Sequence, residues 1–390
     1  MTVPAATRSG MGSAKAFAGV TAALAMFGAA QGLTAPLFTL LMQKQGFSPG
    51  AIGLSAAMMP VGWVVSASLV PPAVALIGAR GLGVAAAALA AVVFVLIGWL
   101  QDWVAWFPLR FLLGFIVNPL YILGEVWALA LADPARRGRI MGVFNTVMGC
   151  GFAVGPLMLA LVGTEGWAAF SVGIAGFCAC AAVLAVVAKD LAGFQAEAGE
   201  NNVGVLRFAR MAPTLIVAVG VSAAVQQSTY ALMPVFGTAY GLGEATLAAL
   251  ITALSVGNIV LQIPLGLAAE RFGARTMIVA CTLTTMVCAL LLPLVITSLA
   301  VWPVLVLMGG VGYGVYTMSL VELGDRFSGT MLVAGNSAFA LNWGLGGIVG
   351  PPSAGFIIGV VGPGGFPALL AVMCGGLAAF ALYRAAGRRS

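Results

Sequence analysis

Histidine is absent from this 390-residue chain and only 7% of its residues are charged, so the groups able to do chemistry are few. Arg110 stands out first, a guanidinium inside a long apolar run, where it can hold an anionic ligand or modulate a proton site. Glu125 lies further along the same run and can answer Arg80 or Arg136, while Glu322 can answer Arg271 or Arg275. Such pairs, together with Glu270 beside Arg271, close one end of a helical protein in one state and break in another, which is gating. A second set is polar but uncharged: Gln31, Asn118, Tyr121, Gln226, Gln227, Tyr230, Asn258, Tyr316, Asn342 and Trp343, extended by Asn145, Gln262, Tyr313 and Asn336. Inside apolar helices these side chains either bond between helices or line a cavity for a small solute. Gln31 and the dense run around Gln227 lean towards the cavity.

No nucleotide-binding Gly-x4-Gly-Lys-Ser/Thr, His-Glu-x-x-His or nucleophile elbow is present. The six cysteines lie in apolar runs without metal-ligand spacing. The sequence therefore suggests no enzyme, cofactor or metal.

The elements that must position these residues follow from hydropathy. With 62% hydrophobic residues and a mean hydropathy of +1.10, the chain cannot be a water-facing globule. It reads as an all-α membrane protein, because helices satisfy their own backbone groups in a bilayer. Twelve apolar runs stand out: 16–42, 51–77, 82–100, 104–131, 139–162 and 167–187, then 212–239, 246–269, 277–296, 301–323, 332–360 and 366–383. They predict a tail at 1–15, six helices over 16–187, a polar linker at 188–211, six more over 212–383, and a tail at 384–390. Arg8 and Lys15 precede the first run without a cleavage signal, so that run reads as a retained span.

Basic residues orient the chain. With the first tail inside, fifteen of the 17 lysines and arginines fall in inside tails and links; Lys44 lies outside and Arg110 within a span. The expected location is a bacterial inner membrane with both termini cytoplasmic. The basic balance is then topology, not a nucleic-acid partner. A shift of 195 residues superposes Gln31 on Gln226, Gly46 on Gly241, Gly78 on Gly273, Arg80 on Arg275, Tyr121 on Tyr316, and Gly155 and Pro156 on Gly350 and Pro351. Two related six-helix bundles with a site between them are expected.

Several motifs carry a family resemblance. Gly266, Glu270, Arg271, Gly273 and Arg275 form a link that resembles the Gly-x-x-x-Asp-Arg-x-Gly-x-Arg/Lys loop of the major facilitator superfamily. The first-half counterpart keeps Gly78 and Arg80 but has Ala75 in place of the acid. Arg110 to Gly114 resembles the Arg-x-x-x-Gly signature of its proton-coupled antiporters. Gly142, Gly151, Gly155 and Pro156 resemble their glycine-rich motif, loosely repeated by Gly346, Gly350 and Pro351; small residues at these intervals let helices pack closely. Over the whole chain the sequence is similar to small twelve-helix bacterial members, including the group around YcaD, through Arg110–Gly114, Glu125, Arg136–Arg139 and Leu232–Arg275.

The resemblance implies a monomeric secondary transporter that rocks two six-helix bundles about a small-molecule substrate, with protons as a possible coupling ion. Its antiporter-like motifs favour export of an amphipathic compound. Arg110, together with the lack of a central acid, favours an organic-anion carrier or exchanger. A non-transporting assembly factor or receptor on the same scaffold is the third reading.

Overall fold

The computed structural model describes residues 10–131, 137–187 and 202–386. Among them are fourteen α-helices and no strand: α1 (Gly10–Lys44), α2 (Pro49–Ala67), α3 (Val70–Trp99), α4 (Trp103–Leu131), α5 (Arg137–Val162), α6 (Ala168–Val187), α7 (Asn202–Met211), α8 (Pro213–Thr238), α9 (Glu244–Val260), α10 (Gln262–Phe272), α11 (Ala274–Val295), α12 (Val301–Arg326), α13 (Gly329–Val361) and α14 (Gly365–Ala386). Eleven are long and apolar enough to span a membrane, or twelve spans in all when the bent pair α9–α10 counts as one. The expected all-helical membrane fold is therefore observed.

Two expected spans are broken, both for the same reason. Proline lacks an N–H and its ring crowds the carbonyl four residues earlier. Pro71 and Pro72 thus interrupt the second run after Ala67, and the helix restarts at Val70. Pro264 acts on Val260, where α9 gives way to α10 with a 44° bend. Glycines make the neighbouring turns: Gly78 (φ +75°) separates the end of the second run from the third inside α3, and Gly273 (φ +83°) separates α10 from α11. Gly46 (φ +80°) and Gly241 (φ +78°) form another positive-φ pair at the 195-residue offset, so the internal repeat extends to backbone conformation.

Backbones approach closely where the glycine motifs lie. On α5, a Cβ at Gly151 would strike the Ala25 carbonyl of α1, and one at Gly155 would strike Ala29 and Leu33. On α13, Gly346 and Gly350 meet α8 at Gly220 and Ala224. Pro156 and Pro351 lie inside these same helices. Helix pairs α2–α13 and α5–α9 join the first six helices to the later ones. Of the expected linker, 202–211 forms α7, whose fully buried Phe208 packs on Phe327 and Phe339 with ring centroids 5.1 and 6.0 Å apart.

Candidate functional site

Asn118, Tyr121 and Glu125 fall on one face of α4, at helical spacings of three and four residues. Tyr121 is the hub of this group. It packs edge-on to Phe27 at 4.9 Å and to Trp63 at 6.0 Å, and stacks on Phe152 at 6.3 Å. The Gln31 amide donates to its hydroxyl at 3.5 Å and reaches the Met59 sulfur at 3.6 Å. Asn118 donates to the Trp63 carbonyl at 3.2 Å, tying α4 to α2. Trp63 and Phe152 escape sequence reasoning, since aromatics in apolar helices carry no signal apart from their partners.

The later helices build a matching group. Tyr313, Tyr316 and Trp343 form an aromatic corner: Tyr313–Tyr316 5.5 Å at 54°, Tyr313–Trp343 5.8 Å at 75°, and Tyr316–Trp343 4.9 Å at 62°. Tyr230 and Ser255 share a 3.0 Å hydrogen bond between α8 and α9. Across the break between α9 and α10, Gln262 donates to Asn258 at 3.1 Å and accepts from Thr317 at 2.8 Å. These bonds tether the broken span to α12. Gln226 is buried and donates to the Gly309 carbonyl at 3.5 Å, while Asn342 donates to the Ile216 carbonyl. The Gln227 amide nitrogen is buried with no partner.

Glu125 follows on the same face of α4, one turn beyond Tyr121; it is exposed and lies near the end of the span at Ala128. No ion pair among the described residues engages it. Arg80, one expected partner, instead donates to the Ala185 carbonyl at 2.6 Å, and Arg136, the other, lies outside the described residues.

Arg110 sits elsewhere. Fifteen residues before Glu125 on α4, it is about 22 Å away at 1.5 Å per residue. It is 2% exposed, donates to the Ser55 hydroxyl at 2.9 Å, and lies 4.9 Å from the centre of the Phe38 ring. Its Nε has no partner.

The end of the molecule near Arg110 is shut. Lys44, at the end of α1, meets Glu244, at the start of α9, at 2.6 Å, and Thr164 bridges them at 2.7 and 2.5 Å. Beneath this triad, Thr39 donates to the Ala231 carbonyl at 2.8 Å. Cβ atoms on Gly53 and Gly355 would strike the backbone of Pro351 and Pro49. At the other end, a Cβ at Gly142 on α5 or at Gly266 on α10 would meet nothing within 4 Å among the described residues. Glu270 and Arg271 on α10 are exposed there, Arg271 lying 5.3 Å from the Phe272 ring. Glu322 accepts from Arg275 at 2.8 Å and from Arg326 at 3.1 Å, both through the same oxygen. Of the expected gating pairs, then, Glu322–Arg275 is in contact.

The arrangement sets one aromatic and amide group in each half, with the Lys44–Thr164–Glu244 triad joining the halves at one end. The sequence pattern described as Major Facilitator Superfamily matches residues 20–251 and 215–389. The MFS-type transporter YfkF of Bacillus subtilis is 24% identical over 339 residues, covering 84% of this chain and 85% of the relative. The MFS-type transporter YcaD of Escherichia fergusonii is 24% identical over 259 residues, 64% of each protein. Among solved structures, the nucleoside transporter NupG superposes with a TM-score of 0.77 at 14% identity, over 96% of this chain and 98% of that one. A bacterial homologue of the human lysosomal transporter Spinster, solved inward-facing and unoccupied, gives 0.69 at 14%, over 97% and 96%.

Proposed function

The chain belongs to the Major Facilitator Superfamily and is a multi-pass secondary transporter, and from that premise we propose that it exports a small amphipathic compound across the bacterial inner membrane in exchange for protons. Two six-helix bundles, 16–187 and 212–383, rock as a monomer about the space that holds Tyr121, Glu125 and the Tyr313–Tyr316–Trp343 corner. The observation that carries this reading is the contact that joins the halves at the Lys44 end, with polar and aromatic groups in both halves beyond it. Fifteen of 17 basic residues favour cytoplasmic termini, so in this reading the end that carries Gly142 and Gly266 faces inward. Coupling to protons is supported by the motifs at Arg110–Gly114 and Gly142–Pro156.

In this mechanism, Gln31, Asn118, Tyr121, Gln226, Gln227, Tyr230, Asn258, Tyr316, Asn342 and Trp343 line or shape the substrate space. Arg80, Arg136, Glu125, Glu270, Arg271, Arg275 and Glu322 act on the cytoplasmic side. Gly151, Gly155, Pro156, Gly346, Gly350 and Pro351 keep the helices close enough to move as rigid groups. A bundle motion shifts populations between two states only through contacts that differ between them, and in this reading the Lys44 triad is such a contact.

A second reading, transport of an organic anion, is favoured by the unpartnered Nε of buried Arg110. Against it stands the distance of Arg110 from the aromatic space. The test of transport itself is a Gln227→Cys variant, in a chain otherwise freed of cysteine, labelled with an impermeant maleimide from each membrane face. Labelling that switches face with substrate or a proton gradient is expected; labelling from one face under every condition would instead mean a non-transporting scaffold.

A further inference from the structure

Beside the triad at the Lys44 end lies a cleft of about 350 Å³, within the roughly 300–1,000 Å³ usual for ligand sites. Its walls include Leu41 of α1, Gly98, Trp99 and Gln101 at the end of α3, and Thr164 and Trp167 in the link from α5 to α6. The spans formed by α3 and α5 end at Trp99 and Val162, and the span formed by α6 starts at Ala168. The cleft therefore sits where the apolar core of a bilayer gives way to its headgroups, the level at which tryptophan is enriched. Leu100 and Leu161, exposed at the same level, offer acyl chains an apolar surface.

The lining suits an ammonium group. A Cβ at Gly98 would lie 2.9 Å from the Trp167 ring, so glycine is what lets that indole settle against α3. Trp167 is held from behind by Phe170, with ring centroids 5.8 Å apart, whereas Trp99 is 74% exposed and has little packing role. Two indoles from two elements thus line one cleft, and indole faces attract ammonium-type cations within about 6 Å. Gln101 donates its amide nitrogen to the Gly98 carbonyl at 3.0 Å, so its oxygen is what it offers a donor.

The bordering charges add a second preference. Asp102 and Glu165, both exposed, follow the lining residues Gln101 and Thr164 in the chain. Lys44 gives two of its three donors to Thr164 and Glu244, at 2.7 and 2.6 Å, and its side chain is 41% exposed. The third donor is left for an anionic oxygen. One rim is therefore acidic and aromatic, and the other carries a single ammonium donor.

We propose that this cleft seats the headgroup of a zwitterionic phospholipid, its ammonium at Trp99 and Trp167 and its phosphate at Lys44. Because Thr164 both lines the cleft and bridges Lys44 to Glu244, the seated headgroup braces the triad and favours the closed Lys44 end. The site goes beyond the transport reading above and does not depend on the cargo.

The test is lipid binding to the purified full chain, read by native mass spectrometry. Phosphatidylcholine, phosphatidylethanolamine and phosphatidylglycerol of one acyl composition are compared, with glycerophosphocholine as a headgroup without tails. Both zwitterionic lipids should bind roughly fivefold tighter than phosphatidylglycerol, the size of one exposed cation–π contact. Trp99→Leu keeps an apolar side chain at an exposed position and should abolish that preference, while Trp99→Phe restores part of it. Spin labels at Gln45 and Tyr240, in nanodiscs, read the brace. Exchanging phosphatidylcholine for phosphatidylglycerol should enlarge the long-distance population, and in Trp99→Leu the exchange should change nothing. Equal binding of the three lipids, or a preference indifferent to Trp99, overturns the site. Glycerophosphocholine binding as tightly as the lipid overturns a lipid as its occupant. Label distances that ignore lipid composition overturn the brace.

Discussion

Replacing Glu244 by Gln removes the negative member of the triad that bridges the two halves at the closed end. The size of the effect follows from geometry and exposure. Lys44 and Glu244 meet at 2.6 Å, but their side chains are 41% and 36% exposed. Exposed ion pairs contribute about 0.2–1 kcal/mol after screening and side-chain ordering. The Thr164 bridge adds hydrogen bonds that persist in part with an amide. The total loss is therefore about 1 kcal/mol, roughly a fivefold change in the ratio of states, since 1.4 kcal/mol is tenfold. The contact exists in this state, so its loss raises the fraction opened at the Lys44 end. Spin labels at Gln45 and Tyr240, both exposed and on opposite halves, would report the shift as a larger long-distance population. Cys150 and Cys178, the exposed cysteines, must first be replaced. Lys44→Met should give a similar shift, and the double variant little more than either. High salt should mimic them in the native chain. A shift beyond tenfold, or additive single effects, would refute the reasoning, because the buried Gly53–Pro351 and Gly355–Pro49 approaches would no longer be the main closure.

Four further outcomes are expected. Gly53→Val places side-chain atoms against the Pro351 backbone, so the same spin labels should report an open Lys44 end even without substrate. Glu322→Gln leaves Arg275 and Arg326 without their shared carboxylate and should lower stability by about 1–2 kcal/mol, read as a drop in the thermal midpoint in detergent. Glu270→Gln should slow turnover in proteoliposomes while substrate affinity stays within twofold; a matching loss of affinity would move Glu270 from latch to pocket. Arg110→Gln should insert and fold yet abolish transport, and full retained activity would remove Arg110 from the mechanism.

The helices were legible because a bilayer leaves one solution for backbone hydrogen bonds, and long apolar runs advertise it. Their breaks were less so. Pro71, Pro72 and Pro264 were visible in the sequence, but apolar flanks on both sides hid the interruption inside a hydropathy average. The internal repeat anticipated more than composition could: Gly46 with Gly241 and Gly78 with Gly273 share positive φ, a property that no other residue type supplies cheaply. The helix at 202–211 was read only as polar linker, because an apolar stripe of Val205 and Phe208 is too short to register beside true spans.

The candidate site was legible in residue type and not in pairing, and the reason is physical. A membrane helix announces a buried Gln, Tyr or Glu by its rarity, whereas which side chain meets which depends on helix rotation and on the state of the two halves. Arg110 drew attention as the deepest cation, yet its place beside Phe38 and Ser55 sets it apart from the aromatic space. Glu125 was assigned to a gate because basic links lie near it in sequence. Of its two expected partners, Arg80 instead holds the Ala185 carbonyl, which nearness in sequence does not foretell, and Arg136 lies outside the described residues. The Lys44–Thr164–Glu244 triad was missed for the converse reason. An exposed lysine and an acid at a helix start each have an ordinary surface role, and only their convergence at 2.6 Å gives them a shared one. Among the described residues, the ion pair that joins the halves is thus set by the packing of two helix ends, which neither hydropathy nor sequence spacing encodes.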